Sequence, residues 1–219
     1  MADKITVGNV EIMAVMDMVP PARPPEAMFP EVPREAWGPY EDTLENGQFQ
    51  LYYCCFVLRS KGTTIMVDTG MGPGPHVERG NLTGNLDQEI RPLLLAPDQL
   101  GNNNVSAFDE VNIVAHSHLH ADHVGWNTRL QEGRWVPTFA NAQYLFARRE
   151  YQAREQQLRE EPDNGHALAF ADSVLPVMEA GRAVLVDSDH QIEDGIWLEA
   201  APGHTVGNVV VNLQSGGQH

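Results

Sequence analysis

The stretch Val111-Asn112-Ile113-Val114-Ala115-His116-Ser117-His118-Leu119-His120-Ala121-Asp122-His123-Val124-Gly125-Trp126-Asn127 constrains the fold more than any other part of the chain. A short apolar run rich in β-branched residues reads as a buried strand, and it delivers three imidazoles and a carboxylate within residues 118–123. His118 and His120, two apart, face the same side of an extended backbone and can meet one cation. Asp122 and His123 then fall on the opening turn of a following helix, where they can face a second cation. Imidazole nitrogen and carboxylate oxygen are donors that Zn2+, Fe or Mn accepts, so the stretch reads as a metal site. The bland alternative is a solvated, His-rich turn. Four ligand-type residues at this spacing favour metal over that alternative.

Two further motifs extend the pattern. Val67-Asp68-Thr69-Gly70 lies upstream and Pro202-Gly203-His204-Thr205 downstream. Together with His-x-His-x-Asp-His followed by Val124-Gly125, they resemble the metallo-β-lactamase superfamily in order and spacing over most of the chain. The resemblance implies an α/β fold, an αβ/βα four-layer sandwich. It also implies that His118, His120 and His204 hold a first metal, and Asp122 and His123 a second. In the family these are two Zn2+ ions, and Fe or Mn suits the same donors. One departure stands out: no residue after His204 matches the family's bridging Asp, and His219 is too terminal to stand for its last His. The chain therefore reads as a C-terminally truncated member, lacking part of the second half of the sandwich. With two side chains for the second cation, the first is expected to bind more tightly.

At 219 residues with 42% hydrophobic content, the chain suits one domain spanning 1–219. A formal net charge of -16, without a Lys/Arg cluster, argues against nucleic acid as a partner. No apolar run reaches the roughly 20 residues of a membrane helix. The start, Met1-Ala2-Asp3-Lys4-Ile5, has no leader-like pattern, and the neighbouring Cys54 and Cys55 read as reduced core residues. These point to a cytoplasmic protein with a small-molecule substrate, and leave room for a homodimer.

Residues 5–7 and 10–15 predict a hairpin about Gly8-Asn9. Pro20, Pro21, Pro24, Pro25, Pro30, Pro33 and Pro39 predict a long loop over 20–48 without regular structure, anchored by Met28, Phe29, Trp37 and Tyr40. Strands are expected at 51–58, 63–67, 111–115, 142–147, 183–186, 196–200 and 208–213, with a helix over 86–95. Asp68 is read as a carboxylate orienting the His loop through hydrogen bonds, with turn capping as the alternative. His116 is expected to support the site without being a ligand; His76 and His190 are read as surface or turn residues, and His166 as a surface residue with the pocket mouth as the alternative. Residues 148–161 predict a helix polar nearly all round, its Glu150/Arg154 and Glu155/Arg159 pairs exposed to solvent. Leu168, Ala171, Leu175 and Met178 predict a second, one-sided helix, perturbed by Pro176 and ended by Gly181.

A cation held by three imidazoles leaves a position for water and lowers its pKa from 15.7 to about 7. The expected reaction is hydrolysis of an ester, lactone or phosphoester-type small molecule by metal-activated hydroxide, with Asp122 as the catalytic carboxylate orienting the nucleophile and passing a proton to the leaving group. Within the family, Gly125-Trp126-Asn127 and the Pro-rich loop look most like the lactonases and organophosphate hydrolases. Two rivals stay open: a non-hydrolytic iron oxygenase of the persulfide dioxygenase kind, and an inactive metal-binding fragment.

Overall fold

The structure, a computed structural model, describes residues 4–74 and 82–219; His76 lies outside them. In chain order come β1 (Lys4–Val7), β2 (Val10–Met18), α1 (Pro25–Met28), β3 (Tyr53–Ser60), β4 (Thr63–Val67), α2 (Leu86–Leu94) and β5 (Ile113–Ala115). They are followed by α3 (Ala121–Val124), β6 (Thr128–Gln131), β7 (Arg134–Pro137), β8 (Gln143–Ala147), α4 (Arg148–Glu160), α5 (Gly165–Ser173) and α6 (Leu175–Glu179). Finally come β9 (Ala183–Val186), β10 (Gln191–Glu193), β11 (Ile196–Ala200) and β12 (Val209–Leu213).

Seven strands form one mixed sheet in the order β1-β2-β3-β4-β5-β8-β9. β1 to β4 pair antiparallel, whereas β4, β5, β8 and β9 run parallel. Val114 and Ala115 of β5 are fully buried, as expected for a parallel strand covered on both faces. One face carries the main core, where Leu86, Ile90, Phe170, Val174 and Val177 of the helical layer pack on Val57, Met66, Val114 and Tyr144. Against the other face lies the antiparallel sheet β10-β11-β12, through Ile196 on Val10, Leu58 and Ile65, and through Leu198 and Val209 on Leu145 and Val186. Helices, large sheet and small sheet thus form successive layers of the expected α/β sandwich.

This order brings the chemistry-bearing loops together. Asp68 follows β4, the His motif follows β5 and α4 follows β8, so all three leave the carboxyl ends of neighbouring parallel strands, where α/β folds place ligands. The loop after β4 is laced to the His motif by Asp68 N–H to Ala115 O (2.9 Å), Thr69 N–H to His123 O (2.8 Å) and Gly125 N–H to Gly70 O (2.8 Å). Gly125 is required by that approach, since a Cβ there would stand 2.0 Å from the Met71 carbonyl carbon. Asp17, at the end of β2 and 1% exposed, fastens the same loop from below. It accepts the Met71 N–H (2.7 Å), the Leu86 N–H (2.9 Å) and the Trp126 Nε1–H (2.9 Å). Gly70, at φ +60°, passes so close that a Cβ would lie 2.2 Å from Asp17 Oδ2.

Several expectations need correction. The Pro-rich segment is not devoid of regular structure: it contains α1 and a 3-10 stretch, Arg34–Thr43. Pro25 occupies the first helical position, where a missing N–H costs nothing. Its aromatic residues do cluster, with Phe29, Trp37 and Phe49 at ring separations of 5.4 to 6.3 Å. The second predicted helix is two, broken at Val174 ahead of Pro176. Its buried side runs through Ala167, Phe170, Val174 and Val177, while Leu168 is 38% exposed. The hairpin β6–β7, turning at Glu132-Gly133 with both φ positive, and the short β10 were not anticipated.

Candidate metal centre

His118, His120 and His204 converge. Each offers a ring nitrogen, and these nitrogens lie within 4.8 Å of one another. His118 is buried at the start of the loop between β5 and α3, His120 is half-buried, and His204 is exposed on the loop between β11 and β12. His204 Nε2 stands 3.0 Å from His120 Nδ1, and its ring centroid is 4.8 Å from that of His118. His118 Nδ1 is taken by Ser117 Oγ at 3.0 Å, whereas its Nε2 is buried without a hydrogen-bond partner among the described residues. A buried polar atom without a partner is costly unless something fills the position it faces.

Protonation suits the same use. Burial, reinforced by the neighbouring His123 and His204, pulls the His118 pKa down to about 4. Burial, then His166, His118 and Arg154, pull that of His120 down to about 2. Both rings are neutral at pH 7, the form in which imidazole binds a cation. Tetrahedral zinc with Zn–N of about 2.0–2.1 Å sets its ligands roughly 3.4 Å apart, so rings whose nitrogens lie within 4.8 Å of one another need close by at most about 1.4 Å to share one ion. Three convergent imidazoles, two of them held neutral by burial and one with a buried nitrogen that has no partner among the described residues, fit a divalent cation.

Asp122 and His123 stand beside this group, with His123 Nε2 3.5 Å from Asp122 Oδ2 and the His123 ring 4.0 Å from that of His118. Asp68 controls their neighbourhood. Its Oδ1 accepts the Ser117 N–H (2.8 Å), and its Oδ2 accepts the Ser117 hydroxyl (2.6 Å) and the His123 Nδ1–H (2.9 Å). Burial works to raise the Asp68 pKa, but the His123 contact overrides it and holds the carboxyl below its usual range. Burial likewise works to lower the His123 pKa, and the Asp68 bond raises it instead. Fixing His123 Nδ1 in this way turns Nε2 outward. Asp68 sits in the left-handed region at φ +57°, a conformation that a non-glycine residue keeps only when its surroundings enforce it. His116 is 2% exposed and lies outside the cluster, with Nε2 2.9 Å from Asn127 Oδ1 and Nδ1 3.4 Å from Leu145 O, so it braces the loop. His190 lies in the turn between β9 and β10, and His219 stacks on Trp197 at 6.0 Å.

Two groups escaped the sequence. Glu150 and Arg154 of α4 are not on a solvated face: their side chains are 1% and 11% exposed. Glu150 Oε1 accepts Arg154 Nε–H (3.1 Å) and the Leu119 N–H (3.3 Å), while Oε2 accepts the Gly207 N–H (3.1 Å). The carboxylate therefore ties the His motif to the His204 loop, and Arg154 Nη2 reaches to 3.1 Å from His120 Nε2. His166 takes the second of its two readings: it lines the cavity beside the cluster, stacks on His120 at 4.0 Å and accepts the Ala121 N–H at 3.3 Å through Nδ1, contacts that the sequence did not indicate. A cavity of about 740 Å3 opens beside the cluster, with Arg23, Tyr53, Asp122 and His166 in its lining.

A family model described as the metallo-beta-lactamase superfamily matches residues 52–218. An N-acyl homoserine lactonase of Bacillus cereus is 28% identical over 160 residues, covering 70% of this chain and 55% of the relative. The chain spans about 55% of the length of the curated relatives it matches. Among solved structures, the dizinc quorum-quenching lactonase AidC superposes with TM-score 0.73 at 18% identity, over 99% of this chain and 71% of AidC. A probable metal-dependent hydrolase from Staphylococcus aureus gives TM-score 0.70 at 16% identity, over 96% and 71%. At these identities the likeness of structures is one of fold.

Proposed function

The chain belongs to the metallo-beta-lactamase superfamily, and from that premise we propose that it is a metal-dependent hydrolase of small esters, with lactones as the leading class. The observation that carries the proposal is His118 Nε2, buried without a partner where His120 and His204 bring their own ring nitrogens. His118, His120 and His204 would hold the first cation, and Asp122 with His123 the second, more weakly. A divalent cation there supplies Lewis acidity, lowering the pKa of water to about 7 and polarising an ester carbonyl. Zinc suits the three-imidazole set.

The protein's own side chains do the rest. Asp68 orients His123 and, through Ser117, His118. Asp122 would accept a proton at its carboxylate and return it to the leaving oxygen, a role supported by its half-buried position in the cavity wall. Met71 and Leu82 give the cavity an apolar side that excludes water from an acyl chain.

N-acyl homoserine lactones are the first substrates to assay, because relatives at 26–28% identity are named for them. The zinc-loaded chain is expected to open the lactone, to lose at least 90% of that activity with a chelator, and to regain it with added zinc. Tightly held iron, oxygen uptake with a thiol persulfide and no turnover of lactone, phosphotriester or thioester would favour the iron oxygenase instead.

A further inference from the structure

Resting on the hydrolase reading, we propose that Arg23 and Tyr53 form an anion subsite, so that the preferred substrates are esters or lactones carrying a carboxylate, sulfonate or other negative group at the far end of the acyl part, away from the metal centre. Arg23 lies on the segment after β2, and its backbone is pinned there. Its N–H donates to Phe49 O at 3.0 Å, and its carbonyl accepts the Phe49 N–H at 2.7 Å. Its side chain lines the cavity of about 740 Å3 together with Tyr53, Met71, Leu82, Asp122 and His166. Among these, Arg23 is the sole Lys or Arg residue.

Neither the Arg23 guanidinium nor the Tyr53 hydroxyl has a hydrogen bond or ion pair among the described residues. Both are donors, and both face a cavity that also reaches Asp122. Tyr53 senses both charges: burial and Asp122 push its hydroxyl up, and Arg23 works against them. The phenol therefore stays protonated at neutral pH and able to donate. A guanidinium offers a planar fork matched to a carboxylate or sulfonate, and a phenol O–H beside it supplies a further donor.

The rest of the molecule makes this placement informative. At a net charge of -16 the chain's long-range field repels anions, so an exposed, uncommitted Arg on the cavity wall is a local exception to the surface around it. Pinned backbone, free guanidinium and an apolar wall of Met71 and Leu82 together describe a pocket for an amphipathic anion, with its ester at the histidines and its charge at Arg23.

The test uses a matched pair of esters of one alcohol, one bearing a terminal carboxylate and the other its neutral methyl amide, assayed on the zinc-loaded chain. Wild type is expected to favour the carboxylate in kcat/KM by tenfold or more. Arg23→Met should cut that ratio at least tenfold, Arg23→Lys should keep part of it, and Arg23→Glu should reverse it. A ratio that Arg23→Met leaves unchanged overturns the subsite while the hydrolase reading survives. If neither ester turns over, the lactone assay decides the hydrolase reading and binding decides the subsite. Calorimetry with hexanesulfonate then supports it if Arg23→Met weakens binding at least tenfold, and overturns it if both proteins bind equally or neither binds.

Discussion

Replacing His118 with alanine is expected to abolish the stabilisation that zinc gives this protein. A cation that binds the folded chain at 100 times its Kd stabilises it by about 2.7 kcal/mol, which thermal unfolding reads as an upward shift of Tm. Losing a ligand costs more affinity than the 10–100-fold that follows from losing a hydrogen-bond partner of a ligand. At the same zinc concentration the variant should therefore show little or no shift. Without zinc the expectation differs. Relief of the unpaired Nε2 then partly offsets the lost Nδ1 bond to Ser117 Oγ and the lost packing of a buried ring, so the metal-free variant should be only modestly less stable than the metal-free wild type. A zinc-induced shift of wild-type size in His118→Ala would contradict the assignment, whereas equal loss in His120→Ala and His204→Ala would extend it to the whole cluster.

The second large effect is expected at Glu150. Its carboxylate holds the N–H of Leu119 on the His motif and the N–H of Gly207 beyond His204, and it neutralises Arg154. Burial works to raise its pKa, and the neighbouring Thr205 and Arg154 overcome this, so it stays charged at neutral pH. Glu150→Ala leaves a mostly buried guanidinium unpaired and two backbone donors unsatisfied, a change expected to cost roughly 3–5 kcal/mol. Denaturant unfolding checks the figure, and zinc titration should show weakened affinity as well, because the two loops lose their common tie. Glu155→Ala, breaking the exposed pair with Arg159 on the same helix, is the control; it should cost about 1 kcal/mol or less.

The contrast between those glutamates shows what the sequence could reveal. Both head a Glu-x-x-x-Arg pair on one polar helix, and nothing local separates them. Glu150 is buried because α4 begins at the carboxyl end of β8, beside the loops that leave β5 and β11; that neighbourhood comes from strand order, not from any window of residues. Asp17 escaped notice for the same reason, since its three donors lie at residues 71, 86 and 126. His166 carried a weak signal, an Asn164 cap opening a helix, but its stacking on His120 depends on how α5 folds back toward α3. By contrast, the His motif was legible because donor residues and spacing lie within one short run after an apolar strand. The parallel strands were legible too, as continuous apolar runs. The hairpin β6–β7 was not, since each of its strands has only four residues and little buried surface, too short a run to show a pattern.

The central claim is that the rings at 118, 120 and 204 share one cation. Crystals grown with zinc, with data collected on either side of the zinc absorption edge, test it directly. The account predicts an anomalous peak about 2.0–2.1 Å from one ring nitrogen of each of these three histidines. A zinc peak elsewhere, with no density between the three rings, would contradict it.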